Sequence, residues 1–394
     1  MREHFYAVIM AGGGGTRLWP ASRPERPKQL MSFGSSNDSL LWETVERAAG
    51  VVGQEHVLVV VAANGEKAVL EDLKGFHAKE VPAESVEGKS DASEARGSDD
   101  DPHEGNRKGV GIHPMGVPGV LVEPVGRNTA PCIGLAALLL AQKDPDAVMA
   151  VLPADHHIQD VIAFRKTFTQ ALVQAAKGFI VTLGIRPDRP ETGYGYIETG
   201  SLIDGAESVY WSKGFVEKPD LKTARKYLNA GNFLWNSGMF FMSAKKIIEE
   251  IHSSIPDLSK AMTRLKDALG RGEGAFKEEL QTVYPELESV SIDYGVMEKV
   301  NDLQVIPADI GWNDVGSWSA LEDILVQDED DNTKQGEALF VESRGCVSYS
   351  DDGKLIALLG MQDIVVVSSG EGVLVCPKDK AQNVREITDL LKNQ

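Results

Sequence analysis

Positions 12–15 are four consecutive glycines, and close behind them stand Arg17, Arg23, Arg26 and Lys28, with Pro20, Pro24 and Pro27 set between. A glycine run lets backbone N–H groups approach an anion that side chains would hold off. Arginine forks and a lysine point charge suit the oxygens of a polyphosphate. The prolines exclude a regular helix and predict an extended, semi-rigid loop. The dinucleotide pattern GxGxxG fails, because Arg17 stands where the third glycine should be, and GxxxxGK[ST] fails as well. What the residues support is a phosphate-binding loop, set against the plainer reading of a solvated basic loop.

Carboxylates supply the second half of such a site. "VLPADHHI" (151–158) ends an apolar strand with Asp155, at the sheet edge where the glycine loop also emerges, and "GWNDVGSW" (311–318) presents Asp314 among small turn residues. Two converging carboxylates suit a hard cation such as Mg²⁺, with phosphate oxygens and water completing its shell. Either aspartate alone reads equally well as a turn former or helix cap. His156 and His157 lack HxxxH spacing and read as polar neighbours rather than ligands. In "RPETGYGYIE" (189–198), Gly193 and Gly195 permit close backbone approach, and in "FVEKP" (215–219) Glu217 offers a hydroxyl acceptor and Lys218 an anion donor. "FLWNSGMF" (233–240) adds Asn236, whose amide both donates and accepts. That set suits a sugar phosphate, although Glu217 and Lys218 could equally form a surface pair worth under ~1 kcal/mol.

These residues need elements to hold them. Short apolar runs at 5–11, 57–62, 120–122, 147–152 and 179–183 alternate with helical patterns at 130–142 and 162–177. That alternation predicts βαβ units: an α/β, Rossmann-like mixed but mostly parallel sheet, covered by helices on both faces. A second run of elements spans 194–325, with helices at 221–230, 244–252 and 258–269 and an extended piece at 239–242. Residues 77–119 are rich in Glu, Asp, Ser and Gly and predict a mobile surface insertion. After the acidic "QDEDDNT" (327–333) come short β segments parted by Gly, Asp and Ser turns, then a helix-like tail at 380–392. The predicted organisation is therefore a domain over 1–330 and a small all-β, β-helix-like segment over 331–394.

The bulk properties narrow the class of function. The 394 residues carry a net charge of −19, which argues against nucleic acid or anionic membrane as partner. No apolar run reaches the ~18–20 residues of a membrane span. The start, "MREHFYAVIMAGG", reads as a first strand and not as a signal peptide. Three cysteines without CxxC spacing predict reduced thiols and a cytoplasmic protein.

Taken in order, "MAGGGGTRLWPASRPERPKQL", "EPVGRNTAP", "LPADHHI", "LGIRPDRPETGYGYIE", "FVEKP", "NSGMF" and "GWNDVGSW" closely resemble the bacterial mannose-1-phosphate guanylyltransferases, sugar nucleotidyltransferases. The match covers about 5–325, and the β tail resembles that family's C-terminal segment. The resemblance implies a nucleotide-diphospho-sugar transferase fold and the reaction of GTP with α-D-mannose 1-phosphate to give GDP-mannose and pyrophosphate, with Mg²⁺. It places Ala11, Gly12, Gly13, Gly14, Gly15, Thr16, Arg17 and Lys28 around the nucleotide phosphates, with Asn128 helping to bind the nucleotide. It gives Asp155 and Asp314 to magnesium, Gly193, Glu217 and Asn236 to mannose, and Lys218 to the sugar phosphate. Arg17, Lys28, Asp155 and Asp314 are then the catalytic set. The partners implied are these small molecules, and a homodimer is expected. With the chain stopping near 394, mannose-6-phosphate isomerase activity is not expected. Another sugar or base, or a non-catalytic sugar-nucleotide-binding relative, are the competing functions.

Overall fold

The computed structural model describes residues 2–13, 16–34, 36–76, 112–113, 119–370 and 372–391. Its N-terminal part carries strands β1 (Phe5–Met10), β2 (Val57–Ala62), β3 (Ile112–His113), β4 (Gly119–Glu123), β5 (Val148–Pro153) and β6 (His157–Ile158). They continue as β7 (Ile180–Ile185), β8 (Tyr196–Leu202), β9 (Tyr210–Val216), β10 (Phe233–Ser243), β11 (Leu303–Pro307) and β12 (Trp312–Asn313). Among the described residues, ten of these form one sheet in the order β3-β4-β2-β1-β5-β10-β7-β11-β9-β8, while β6 and β12 pair separately.

The sheet is mixed, as expected, but its parallel part is narrower than "mostly parallel" implies. β4, β2, β1 and β5 run parallel, as do β7 and β11. β10 lies antiparallel to β5, β7 and β8, and β9 antiparallel to β8 and β11. A long strand inserted between β5 and β7 cannot be read from alternation of apolar runs, because strand direction leaves no periodic trace.

Helices α1 (Leu40–Val52), α2 (Glu66–Asp72), α3 (Thr129–Lys143), α4 (Val161–Ala175), α5 (Leu221–Ala230), α6 (Ala244–Ser254), α7 (Pro256–Gly270) and α8 (Glu273–Val283) flank the sheet. Side-chain caps start several of them: Ser39 accepts from Trp42 N, Asp160 from Ala163 N, Asp220 from Thr223 N and Ser243 from Lys246 N. Strand alternation divides the core in two. Tyr6 and Val8 of β1 face a cluster containing Ile133 of α3, Ile251 of α6, Leu265 of α7 and Leu280 of α8. Phe5, Ala7 and Ile9 face the other side, with Val45 of α1 and Phe168 of α4. Both faces are thus covered, which is why these strands are apolar without interruption.

After α9 (Leu321–Ile324) the chain coils through β13 (Thr333–Gln335), β14 (Ala338–Val341), β15 (Val347–Ser350), β16 (Ile356–Leu359), β17 (Ile364–Ser369) and β18 (Gly372–Pro377). β13, β15 and β17 stack in parallel register, β14 and β16 likewise, and β18 closes the stack antiparallel. This is the β-helix-like segment expected. The tail is a 3₁₀ turn (Lys378–Asn383) followed by α10 (Val384–Leu391), rather than one helix. Of the predicted insertion, 77–111 and 114–118 lie outside the described residues, whereas Ile112–His113 and Gly119 pair in the sheet. No helix among the described residues is long and apolar enough to cross a membrane.

Candidate active site

The glycine loop leaves the carboxyl end of β1, near the middle of the sheet. Ala11 donates its N–H to Val60 O at 2.8 Å, and Gln29 Nε2 donates to Ala11 O at 3.2 Å, so the residue that opens the loop is held through both its N–H and its carbonyl. Gly12 and Gly13 are exposed, while Gly14 and Gly15 lie outside the described residues. Thr16 and Arg17 sit on a short 3₁₀ turn whose Leu18 is buried, leaving Arg17 exposed beside the loop. Further on, the prolines give way to a second 3₁₀ turn, Lys28–Leu30, that turns Lys28 inward.

Lys28 is buried, and its ammonium lies 2.7 Å from Asp155 Oδ2 while also donating to the backbone carbonyl of Asp314. One side chain therefore ties the Asp155 carboxylate to the backbone of Asp314, the two predicted metal-binding positions. Asp155 follows β5 and Asp314 follows β12, and the β6–β12 ribbon pairs Trp312 with Ile158 and Asn313 with His157, which brings the two ends together. Burial is the largest influence on Asp155 and opposes its charge, but the Lys28 ammonium, His156 and hydrogen bonds together outweigh it and hold the carboxyl below the usual range. Asp314 Oδ1 accepts the Tyr194 hydroxyl at 2.5 Å. Tyr194 is itself fixed edge-on against Trp235 and Trp312, with ring centroids 5.2 and 5.3 Å away. Burial first, then the charge of Asp314, pushes the tyrosine pKa far up, so it stays a donor. Val315, next in the chain, holds a left-handed φ of 47°, a strained conformation for a β-branched residue.

Beside this group lies a cavity of about 210 Å³ whose lining includes Met10, Thr129, His156, Gly193, Tyr194, Glu217, Asn236, Asp293, Trp312 and Asp314. It unites three predicted sugar residues, Gly193, Glu217 and Asn236, with one predicted metal ligand, Asp314. Asn236 is placed by a bulge in β10, where the register slips between Asn236 and Phe240 and Gly238 takes a φ of +71°. Its Nδ2 donates to Asp293 Oδ1 at 2.9 Å. A Cβ at Gly195 would fall 2.5 Å from Glu217 Oε2, so a side chain there would displace that carboxylate. Lys218, at a left-handed φ of 48°, sits with its ammonium 3.0 Å from Glu217 Oε1 at the more exposed margin.

Other expectations land elsewhere. Asn128 caps α3 by accepting from Thr129 N at 2.9 Å and is exposed outside this cavity, while its neighbour Thr129 lines it. Arg26, grouped with the phosphate loop by sequence, instead forms a 2.5 Å ion pair with Asp351 of the β coil. His156 Nδ1 accepts from Trp312 Nε1 at 3.0 Å, and burial lowers its pKa. His157 is pushed down to about 4, by burial first and then by Arg47. Both histidines behave as neutral polar neighbours. Tyr194, Asp293 and Trp312 were not singled out by sequence. Tyr194 stood inside a quoted glycine stretch, but nothing in one sequence distinguishes Asp293 from a surface aspartate. A larger cleft of about 1050 Å³, between α1, β6 and the β coil, contains none of the candidate residues.

The donor set fits a divalent cation. Lys28 already places positive charge where an Asp155 carboxylate oxygen and an Asp314 carbonyl converge, and hard oxygen donors are what magnesium prefers.

A glycine loop on a central strand, carboxylates at the neighbouring strand ends and a polar cavity beside them define a nucleotidyl-transferring α/β protein. Comparison with known proteins agrees: the family described as nucleotidyl transferase matches residues 6–331, and the MannoseP isomerase/GMP-like beta-helix domain matches 336–391. The xanthan biosynthesis protein XanB of Xanthomonas campestris and a mannose-1-phosphate guanylyltransferase of Klebsiella pneumoniae are each 37% identical over 98% of this chain and 73% of theirs. A crystal structure from Thermus thermophilus, described as a mannose-1-phosphate geranyltransferase, superimposes with a TM-score of 0.80 at 34% identity over 99% of both chains. The chain belongs to the mannose-1-phosphate guanylyltransferase family of nucleotidyl transferases.

Proposed function

We propose that the protein joins GTP to α-D-mannose 1-phosphate, releasing pyrophosphate and forming GDP-mannose. The observation that carries this is the convergence of Lys28, Asp155 and Asp314 next to a cavity walled by Glu217 and Asn236, in a member of this family. The bond formed joins a phosphate oxygen of the sugar phosphate to the α-phosphorus of GTP, and the bond broken is the α–β bridge. The attacking group is already an anion at neutral pH, so no general base is required. The barrier lies in bringing two anions together, and positioning and electrostatics lower it.

The chain's residues divide that task. The glycine loop, opened by Ala11 and running through Thr16, offers the backbone N–H groups beyond Ala11, whose own N–H is taken by Val60 O, to the nucleotide phosphates, and Arg17 adds positive charge at their open side. Lys28 balances Asp155 in the resting protein and is close enough to the same point to serve the triphosphate. Glu217 and Asn236 orient the hexose, Gly193 admits its close approach, and Lys218 holds its phosphate. Tyr194 fixes the rotamer of Asp314. Asn128 sets the start of α3 at the nucleotide side. Magnesium, held by Asp155 and Asp314, would neutralise phosphate charge.

In this reading 1–330 is the catalytic domain and 331–394 its bracing segment. A homodimer through the β coil is supported by Leu339, Leu359, Val373 and Val375, all exposed there. A monomer mass by light scattering at micromolar concentration would count against it. A cytoplasmic location is supported by three free cysteines, two of them buried. The reaction itself is tested by pyrophosphate release with GTP, ATP, TTP and UTP, each paired with mannose 1-phosphate and glucose 1-phosphate. GTP with mannose 1-phosphate should be fastest, and no release from that pair would refute the proposal.

A further inference from the structure

Asp293 has no part in the transfer chemistry described, yet it lines the cavity between the residues assigned to the sugar. It opens a π-helical turn, Asp293–Met297, a rare backbone form that clusters at functional sites. The amide that bonds it cannot turn away. Asn236 Oδ1 accepts from the Thr182 hydroxyl and from Gly238 N, each at 3.2 Å, so its nitrogen faces Asp293.

Across from it, Glu217 is 9% exposed, and its Oε2 is buried without a hydrogen-bond donor. A buried carboxylate oxygen left unpaired is costly, and a ligand hydroxyl would satisfy it. Two carboxyl groups flanking one small cavity present acceptors in excess. A hexose ring brings the complementary pattern, hydroxyl donors on adjacent carbons.

We infer that Asp293 is a specificity-determining residue of the transfer reaction, accepting with Glu217 the hydrogen bonds of hexose ring hydroxyls and so selecting among hexose 1-phosphates. This rests on the reaction proposed above. The charged or titratable groups facing Asp293 are Glu217 and Lys218 from the end of β9, with His156, Tyr194 and Asp314 on the same cavity wall. Burial first, then the charge of Glu217, pushes the Asp293 carboxyl up to about 6. Hydroxyl donors favour its ionised form, so sugar affinity weakens as pH falls through that value.

The test is Asp293→Asn, which keeps an oxygen for the Asn236 amide. Pyrophosphate release is followed with mannose 1-phosphate, glucose 1-phosphate and the monodeoxy mannose 1-phosphates, from pH 5 to 8. The KM for mannose 1-phosphate should rise about 10–100-fold, the scale of one charged hydrogen bond, with the KM for GTP unchanged. One deoxy analogue, lacking the hydroxyl that Asp293 accepts, should react equally with both enzymes. The wild-type step in sugar KM near pH 6 should shrink to that of the phosphate ester alone. A loss of one common factor across all analogues, or no loss, overturns the inference. If Asp293→Asn melts early, the same series on Asp293→Ser decides by the same criterion. Absence of wild-type turnover would refute the proposed reaction, whereas wild-type turnover with an analogue-independent loss refutes the Asp293 assignment alone.

Discussion

Lys28 shows how much one buried side chain can organise. Its ammonium links Asp155, at the end of one strand, to the backbone at Asp314, at the end of another. Lys28→Ala and Asp314→Asn should each lower turnover by about 10²–10³, the scale for losing one transition-state stabiliser, measured at saturating GTP and Mg²⁺. Lys28→Ala should also cost about 1–3 kcal/mol of stability, since Asp155 then loses its charged partner, and a denaturant melt reads this directly. Tyr194→Phe keeps the ring against Trp235 and Trp312 but drops the bond to Asp314. It should lower turnover about tenfold at little cost in stability, and unchanged turnover would remove its positioning role. In sequence, Lys28 and the aspartates were singled out only as a set, because an aspartate at a turn serves equally well as a cap and a basic loop can simply be solvated. Tyr194 was not, because its function depends on rings from two other strands meeting it.

The β6–β12 ribbon is the element on which the site turns, and its reverse face carries a titration opposed by one elsewhere. His157 is held neutral by burial and by Arg47, with its pKa down to about 4. The unfolded chain binds that proton near 6.5, so stability is full above this value and falls as pH drops toward 4, by about 3 kcal/mol at most. Glu123, buried at the end of β4 and bonded by the Tyr284 hydroxyl, is pushed up to about 7 by burial. Its contribution is full below about 4.5 and is lost as pH rises through 7, a change of similar size and opposite sign. The two partly cancel between pH 4.5 and 6.5. Glu123→Gln should therefore gain stability relative to the parent at pH 8 compared with pH 4. His157→Gln should flatten the acid limb, and denaturant midpoints across pH measure both. Elements that are apolar throughout, such as β1, β5 and α3, were legible in outline from their runs. β8 and β9 are half exposed and broken by Gly200 and Gly214, so no run marks them.

At the scale of the molecule, the β coil is braced against the very loop that carries the basic residues. Leu18, Met31 and Phe33 of that loop share a buried cluster with Trp318, Tyr349, Val365 and Val384. Trp318 Nε1 donates to Trp19 O at 2.9 Å, and Gln335 Nε2 to Ser32 O at 3.0 Å. Arg26 completes the seam through Asp351. Tyr349, tilted between Phe33 and Trp318, anchors it, with centroids 6.3 and 4.8 Å away. Tyr349→Ala should cost about 3–5 kcal/mol and raise the KM for GTP, because the loop loses its backing. A stability loss without a change in GTP binding would show the coil to be merely attached. The coil's existence was readable from its turn spacing, but its docking was not, since contacts some 300 residues apart leave no local pattern.

Whether Lys28, Asp155 and Asp314 are one working unit is answered most directly by a crystal structure with GDP-mannose and magnesium. Both aspartates should share the bound cation, with Lys28 and Arg17 turned onto phosphate oxygens and the present Lys28–Asp155 contact opened. The metal bound elsewhere, with Lys28 still clasped to Asp155 and Arg17 in solvent, would contradict the account.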